Sequence, residues 1–140
     1  AAPILRTHGY TEDEITLVCN AIRDHSFSRG ATPTTPLGRA LQDADRLEAL
    51  GVLGVFRTFS TGARMGARYF HTGDPWAEKR ALDDLAYSVD HFSTKLLKLH
   101  RTLCTPLGRE EAARRVARME ALLEGLGEEL GRPYVRHASL

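Results

Sequence analysis

The sequence predicts an all-α protein, and three observations support this fold class. Apolar residues recur every three or four positions in several separate segments, which is the period of an amphipathic helix. Helix-start signals, Thr11-x-x-Glu14 and Thr105-Pro106, precede two of those segments. Alternating apolar and polar residues bounded by hairpin turns, which would indicate strands, are not found. The 140 residues suit one domain with a single core, predicted over residues 1–140.

In the first half of the chain, each predicted helix has its own apolar face. The first helix runs from the capping box to about His25, and a loop with two prolines follows. The second helix covers residues 37–50. Five of its residues are expected to face inward: Leu37, Ala40, Leu41, Ala44 and Leu47. A buried helix is expected over residues 51–59, followed by a glycine-containing loop over residues 61–76.

The second half of the chain contains the strongest periodic pattern. One apolar stripe with spacings of three and four residues predicts a long helix: Leu85, Val89, Phe92, Leu96, Leu99 and Leu103. Thr105 and Pro106 then suit the N-cap and the first position of a last helix. That helix should end at Gly131, and residues 131–140 are expected to form a loose tail.

Composition and charge argue against several classes of function. The formal net charge is +1, from 19 basic and 18 acidic residues, so duplex nucleic acid is not an expected partner. No apolar run reaches the roughly 20 residues of a membrane helix, and no signal peptide is visible. Cys19 and Cys104 are expected to be buried free thiols. A cytoplasmic protein without membrane contact is expected, and the start without Met indicates a truncated, processed or incomplete chain.

Two carboxylates, Asp43 and Asp45, are the first candidates for chemistry. Residues two positions apart lie about 200° apart around a helix, so these side chains do not share a face. Asp45 is expected at the edge of the buried face, where a carboxylate must be paired, hydrogen-bonded or bound to a metal. A salt bridge or a solvated acid is the alternative to a metal ligand.

Histidines are the second group of candidates. His25 lies at the predicted end of the first helix, where it either caps the helix or serves as a neutral imidazole near a metal or phosphate. His71, His91 and His100 show no metal-ligand spacing with one another, and a structural role is expected for them.

Four cationic residues are candidates for binding phosphate. Arg57 and Arg64 enclose several hydroxyl residues in a glycine-containing stretch, and guanidinium groups bind phosphate oxygens through two parallel hydrogen bonds. Lys95 and Lys98 are three residues apart on the predicted long helix and are therefore neighbours. A solvated surface is the alternative for all four.

Taken together, five segments resemble a bacterial branch of the HD-domain metal-dependent phosphohydrolases, from about Glu14 to about Leu130. The matching segments are Ala21-Ile22-x-x-His25-Ser26-Phe27-Ser28, residues 41–51, Gly54-Val55-Phe56-Arg57-Thr58-Phe59, Asp74-Pro75-Trp76 and Asp90-His91-Phe92-x-x-Lys95-Leu96-Leu97-Lys98-Leu99. The resemblance implies an HD-domain-like helical bundle that is incomplete at its N-terminus.

The resemblance also implies roles for individual residues. In that family a metal is held by a His, an adjacent His-Asp pair and a later Asp in an Ala-Asp-Arg-Leu setting, which matches Ala44-Asp45-Arg46-Leu47. It therefore implies Asp45 as a metal ligand, with Asp43 as the alternative ligand or as a group that supports one. His25 matches a histidine beside the metal site and takes a catalytic role. No position matches the first His or the His-Asp pair, which would precede Ala1, and the chain as given is expected to be inactive without them.

The implied activity is hydrolysis of a phosphate ester or anhydride in a small, nucleotide-like substrate, such as a nucleoside triphosphate or monophosphate. Imidazole and carboxylate ligands suit a divalent metal such as Mn, Fe, Co, Ni or Zn, and Mg is also open. The substrate phosphates would be bound by four residues: Arg57, Arg64, Lys95 and Lys98. The alternatives are a non-catalytic helical module that binds a nucleotide or a partner, and an inactive fragment. A homo-oligomer is left open.

Overall fold

The computed structural model describes residues 1–25 and 30–137, and these residues form a helical structure. In chain order the helices are α1 (Ala2–Thr7), α2 (Glu12–Asp24), α3 (Pro36–Glu48), α4 (Gly51–Arg64), α5 (Asp90–Thr94), a 3₁₀ helix (Leu96–Thr102) and α6 (Pro106–Glu129). The described residues contain no strand, and Arg68 and Tyr87 form an isolated parallel bridge. The predicted all-α class is confirmed.

Side-chain caps determine where three of the helices begin. In the predicted capping box, Glu14 N donates to Thr11 Oγ1 at 3.3 Å and Thr11 N donates to Glu14 Oε2 at 2.8 Å. Gly108 N donates to Thr105 Oγ1 at 3.0 Å, and Pro106 occupies the first position of α6, as predicted. Thr35 caps α3 in the same way. Each such cap stabilises its helix by about 1 kcal/mol.

The hydrophobic core is built around α6. Its buried stripe contains Ala112, Val116, Met119 and Leu123. This stripe belongs to one core cluster with residues of α4, of the segment between α4 and α5, and of α5 with the 3₁₀ helix. These residues are Leu50, Val55, Trp76, Val89, Phe92, Leu96, Leu97, Leu99 and Leu103. The predicted core residues from Val89 to Leu103 are therefore correct, whereas among the apolar residues of α6 Leu122 is 38% exposed and Leu126 and Leu130 are only partly buried.

The long helix predicted over residues 85–103 is not continuous. Leu85 is 70% exposed and lies outside any helix, and α5 ends at Thr94. Lys95 then adopts φ −137°, and the chain continues as the 3₁₀ helix. Because Leu96 and Leu97 are both fully buried, this segment is covered on more than one side. Tertiary packing therefore overrides the single apolar stripe.

The face of α3 that was predicted to point inward is only partly buried in the structure, where Leu47 packs against the core. Three of its five members are exposed: Leu37, Ala40 and Ala44. Gln42 and Asp43 are buried instead. Gln42 Nε2 donates to Asp24 O at 3.2 Å and to Ala31 O at 3.0 Å, while Asp43 accepts hydrogen bonds from the start of α6. Polar contacts, rather than the apolar pattern, thus set the rotation of α3.

Helix α4 is longer and more exposed than predicted. It continues to Arg64, within the stretch expected to be a loop. The expectation of a buried helix is wrong for one side of α4, because Val52, Leu53 and Phe56 are each more than half exposed. The opposite side, which includes Val55, packs against the core.

The C-terminal segment also differs from the expected loose tail. Trp76 Nε1 donates to Arg132 O at 2.8 Å, and the Trp76 and Tyr134 rings meet edge to face with centroids 5.1 Å apart. His137 Nε2 lies 2.6 Å from Trp76 O. Residues 132–137 are therefore attached to the core through Trp76, and the rest of the predicted tail lies outside the described residues.

Two further expectations concern the cysteines and the membrane. Cys19 and Cys104 are free thiols, but each is only half-buried. Cys104 Sγ donates to Gln42 Oε1 at 3.2 Å. Among the helices described, none has both the length and the apolar character needed to span a bilayer.

Candidate functional site

A cavity of about 310 Å³ lies between α4 and the segment of residues 84–96. Six residues of α4 and its C-cap line one wall: Gly54, Arg57, Thr58, Thr61, Gly62 and Met65. They recur at intervals of three or four positions, so the helical period places them on one face of α4. This wall therefore presents one guanidinium group and two hydroxyl groups to the cavity.

A buried ion pair positions the opposite wall. Asp90 is only 1% exposed, and Arg80 Nη2 donates to its Oδ1 at 2.8 Å. Asp83 N donates to the other oxygen of the same carboxylate at 2.7 Å. These contacts anchor the loop before α5, and the next residue, Asp84, lies on the cavity wall. The ion pair thus has a structural role beside the site.

Asp84 orients a histidine on the same wall. His91 Nδ1 lies 2.8 Å from Asp84 Oδ2, and Thr94 Oγ1 donates to that same oxygen at 2.8 Å. The hydrogen bond from His91 lowers the pKa of Asp84, which outweighs the opposite effect of burial. Because an ionised carboxylate only accepts hydrogen bonds, Nδ1 carries a proton. Nε2 is then the ring nitrogen that remains for a ligand.

Ser88 supplies a buried hydroxyl group beside this pair. It is 2% exposed, and within the described parts of the chain its Oγ has no hydrogen-bond partner. A Cβ placed on Gly62 would lie 2.1 Å from Ser88 Oγ. Only glycine at position 62 therefore leaves room for the hydroxyl between the two walls.

The structure brings together two of the four cations predicted to bind phosphate. Arg57 from α4 and Lys95 after α5 both line the cavity. Arg64 is exposed at the end of α4, and Lys98 is half-buried on the 3₁₀ helix; neither lines the cavity wall.

Sequence reasoning missed three residues of the cavity: Asp84, Ser88 and His91. His91 was expected to be structural, yet it lines the cavity beside Lys95. Lys95 N donates to His91 O at 3.1 Å, a helical contact that places both residues on one side of this segment. The spacing of four residues between His91 and Lys95 was a sequence signal that the two could lie on one side of a helix. Asp84 lies in a loop without periodicity, so no such signal indicated its position.

Asp45, the implied metal ligand, is exposed on α3. Its carboxylate makes no hydrogen bond or ion pair with residues 1–25 or 30–137. Ala49, one helical turn later, lines the cavity, so Asp45 lies on the side of α3 that leads to it. The expected half-buried position is wrong because α3 is rotated relative to the prediction.

Asp43, the alternative ligand, has a structural role instead. It is 4% exposed, and its Oδ1 accepts from Cys104 N at 2.6 Å. Its Oδ2 accepts from Thr105 N at 2.8 Å and from Thr105 Oγ1 at 2.6 Å. Both oxygens therefore accept hydrogen bonds that connect α3 to the start of α6.

His25 is the C-cap of α2, as the structural alternative expected. Its Nδ1 lies 2.6 Å from Ile22 O, and because a carbonyl oxygen only accepts, Nδ1 must donate. Nε2 is therefore the nitrogen with an available lone pair. The following residues of this motif, Ser26, Phe27 and Ser28, lie outside the described residues.

A complete metal site is not found among the residues that the structure describes. No three side chains of His, Cys, Asp or Glu lie close enough together there to hold an ion. Asp45 and His25 thus offer donor atoms singly and do not form a finished coordination sphere.

The all-α fold is HD-like, as the comparison with a solved structure shows. The chain is similar to an HD-superfamily hydrolase from Bacillus thuringiensis, with 29% identity and a TM-score of 0.72. The similarity covers 92% of this chain and 60% of that protein. The fold predicted from the sequence is therefore confirmed.

Bacillus subtilis YpgQ, an uncharacterized protein, is similar in both sequence and structure. It is 34% identical over 111 residues, which are 76% of this chain and 48% of YpgQ. A crystal structure of YpgQ superposes with a TM-score of 0.75 at 27% identity and covers 91% of this chain and 62% of that one. Another holds ADP and gives a TM-score of 0.73 at 26% identity, covering 91% and 58%. No family model matches the chain, which spans about half the length of this curated relative.

Proposed function

We propose that this chain is the C-terminal part of a metal-dependent phosphohydrolase that acts on a phosphate ester or anhydride of a nucleotide-like substrate. The observation that carries the proposal is the cavity, which Arg57 and Lys95 line together with Ala49, the C-cap residue of α3. The similarity to an HD-superfamily hydrolase supports the class of reaction. The ADP complex of YpgQ supports a nucleotide as the ligand.

The cavity has the size and the chemistry for a small phosphorylated molecule. Its volume, about 310 Å³, lies at the lower end of the range for small-molecule sites. A guanidinium group binds two phosphate oxygens at once, and an ammonium group adds a point charge. Arg57 and Lys95 therefore take the phosphoryl group, while Arg64 and Lys98, which lie off the wall, contribute at most to the surrounding field.

Asp45 suits the role of one metal ligand. Its carboxylate is exposed and has no partner among residues 1–25 and 30–137, so binding a cation breaks no existing contact. His25 Nε2 is available to hold or transfer a proton near the metal. A divalent ion, when bound, supplies Lewis acidity toward a phosphoryl oxygen and toward water. Mn, Fe, Co, Ni, Zn and Mg all accept such a ligand set.

Further ligands are needed, because metal sites of this kind use at least three protein ligands. We propose that they come from residues outside those described, which agrees with the length of the matched relative. The described residues of this chain then supply one helical part of the site.

The test uses the intact protein, with metal analysis and hydrolysis of nucleoside mono-, di- and triphosphates before and after treatment with a chelator. We expect metal-dependent release of phosphate or pyrophosphate. Asp45→Asn should lose both bound metal and activity, while the exposed-acid control Asp13→Asn should retain both.

A second pair of variants examines the cavity. Arg57→Ala should raise KM by about 10-fold or more, since hydrogen bonds to charged groups contribute about 1.5–3 kcal/mol. The control Arg118→Ala removes an exposed arginine of α6 and should leave KM unchanged. Nucleotide binding without metal or hydrolysis would favour the non-catalytic module, and absence of both binding and hydrolysis would refute the proposal.

A further inference from the structure

The cavity contains a carboxylate–imidazole pair that the proposed function leaves without a role. We propose that His91, oriented by Asp84, is the general acid that protonates the leaving group during hydrolysis. This inference rests on the proposed phosphohydrolase function of the same cavity. Asp84 is the positioning residue, and His91 is the group that faces the substrate.

The geometry holds the imidazole in one orientation. Asp84 Oδ2 receives two hydrogen bonds, from His91 Nδ1 at 2.8 Å and from Thr94 Oγ1 at 2.8 Å, so the carboxylate is held on both sides. With Nδ1 occupied, Nε2 is the nitrogen left for a ligand in the cavity that His91 lines. A general acid needs this arrangement, in which one nitrogen is fixed by a carboxylate and the other meets the substrate.

The contact between His91 and Asp84 is not explained by a contribution to the stability of the fold. The side chains of His91 and Asp84 are 31% and 35% exposed, and ion pairs that water reaches contribute little to the stability of the fold. The nearby pair of Arg80 and Asp90 is different, because Asp90 is 1% exposed and the pair anchors the loop. The exposed pair is therefore better explained by a ligand that meets it in the cavity.

Ser88 provides an independent indication of a ligand. Its hydroxyl is buried and, in the described parts of the chain, unpartnered, and leaving a buried donor without an acceptor destabilises the fold. The hydroxyl occupies the space left by Gly62 on the opposite wall of the cavity. An oxygen of a bound phosphoryl group would accept this hydrogen bond and remove the penalty. Ser88 precedes His91 by three residues, so both belong to one turn.

The charged groups around His91 are arranged for the same step. Asp84 is the anion beside the imidazole, Lys95 lies one turn further along, and Arg57 faces them from α4. The two cations bind the phosphoryl oxygens, whereas Asp84 holds the imidazole of His91 through its Nδ1. The cavity thus separates the group that donates a proton from the groups that hold the negative charge.

The step is balanced as follows. A water oxygen forms a bond to phosphorus, and the bond between phosphorus and the leaving oxygen breaks. His91 Nε2 gives its proton to that leaving oxygen, so the leaving group departs neutral at this atom. The proton lost by the attacking water passes to solvent, and His91 regains a proton from solvent before the next turnover.

The kinetic test measures kcat/KM against pH in the intact protein with the nucleotide that the wild type hydrolyses fastest. A general acid must be protonated, so wild-type activity should fall on the high-pH side. His91→Gln should be about 10²- to 10⁴-fold slower and should lack this high-pH limb. Asp84→Asn should show a smaller loss than His91→Gln, because the imidazole stays in place but loses the carboxylate that orients it. The control His100→Gln, on the 3₁₀ helix and off the cavity wall, should match the wild type.

A second readout does not depend on turnover. Inorganic phosphate is titrated into the intact protein, and the ring resonances of His91, assigned by their absence in His91→Gln, are followed by NMR. Phosphate should shift the resonances of His91 and leave those of His100 in place. Unshifted His91 resonances would overturn the proposal, as would a His91→Gln variant that keeps the wild-type rate and high-pH limb.

The outcomes separate the two proposals. An active wild type with an unaffected His91→Gln variant refutes the general acid and leaves the phosphohydrolase intact. A wild type that hydrolyses none of the nucleotides refutes the phosphohydrolase, and the acid role is refuted with it.

Discussion

Asp43→Ala is expected to destabilise the fold strongly, whereas Asp45→Ala, two residues later on the same helix, is not. Asp43 is 4% exposed and accepts hydrogen bonds from Cys104 N, Thr105 N and Thr105 Oγ1. Asp45 is exposed and makes no such contact with the described residues. The two variants therefore remove the same chemical group from opposite environments.

The magnitude follows from the donors that lose their acceptor. Asp43→Ala leaves two backbone N–H groups, those of Cys104 and Thr105, without a partner, and each such loss costs about 1–3 kcal/mol. Both residues are half-buried, so water partly compensates, and we expect about 2–4 kcal/mol in total. Asp43→Asn keeps one acceptor oxygen, so its free energy of unfolding should lie between those of the wild type and Asp43→Ala. Asp45→Ala should change stability by less than about 0.5 kcal/mol.

The assay is urea unfolding of the metal-free protein, followed by circular dichroism, with the unfolding slope compared between variants to check that the denatured states are alike. A loss below about 1 kcal/mol for Asp43→Ala would refute the structural role assigned to this carboxylate. An equal loss for both alanine variants would refute the assigned rotation of α3.

Gly108→Ala should destabilise by about 1–3 kcal/mol, because its Cβ would lie 2.4 Å from Asp43 Oδ2, whereas Gly125→Ala, with open space in the same helix, should stabilise by up to about 1 kcal/mol. Equal melting temperatures for these two variants would contradict the close approach at position 108. Tyr134→Ala should shift the emission of Trp76, the single tryptophan, to longer wavelength, because it removes the ring that covers the indole; an unchanged emission maximum would show that the C-terminal segment does not pack there. Burial raises the pKa of Tyr134 to about 12 from 10.0, so the stability this phenol contributes is fully present below pH 10.0 and lost as pH rises toward 12, which unfolding measurements on both sides of that window check.

Local signals were sufficient for much of the fold. The capping box at Thr11 and the Thr105-Pro106 start involve residues at most three positions apart, so the sequence alone contains both partners. The apolar stripe of α6 is equally local: Ala112, Val116, Met119 and Leu123 are buried, although Leu122 in the same pattern is 38% exposed. Helix existence and the core of this long helix could therefore be predicted without tertiary information.

The rotation of α3 could not be predicted in the same way. Its apolar residues suggested one inner face, but the partners of Asp43 are 61 and 62 residues away in sequence. Burial of a charged group without its partners is strongly unfavourable, so the apolar pattern alone gives no reason to bury Asp43. Only the positions of Cys104 and Thr105 in the structure show that the buried carboxylate of Asp43 has hydrogen-bond donors.

The sequence predicted only those residues of the candidate site whose side chains are cationic and therefore suited to binding phosphate. Arg57 and Lys95 were found for that reason, and the structure places both on the cavity wall. Asp84 and Ser88 belong to a loop without periodicity, whose path depends on the buried pair of Arg80 and Asp90. Their relation to α4 is set by these long-range contacts and leaves no regular spacing in the sequence.

Asp43 and Asp45 are two positions apart on the same helix, and this affects how a metal-binding experiment on either variant must be interpreted. Because the two side chains are about 200° apart around α3, burying one directs the other outward. The hydrogen bonds of Asp43 to the start of α6 therefore determine the direction in which Asp45 points. A loss of metal in Asp43→Ala would follow from a displaced helix and would be accompanied by a lower free energy of unfolding. A loss of metal in Asp45→Ala with unchanged unfolding would identify Asp45 itself as the ligand.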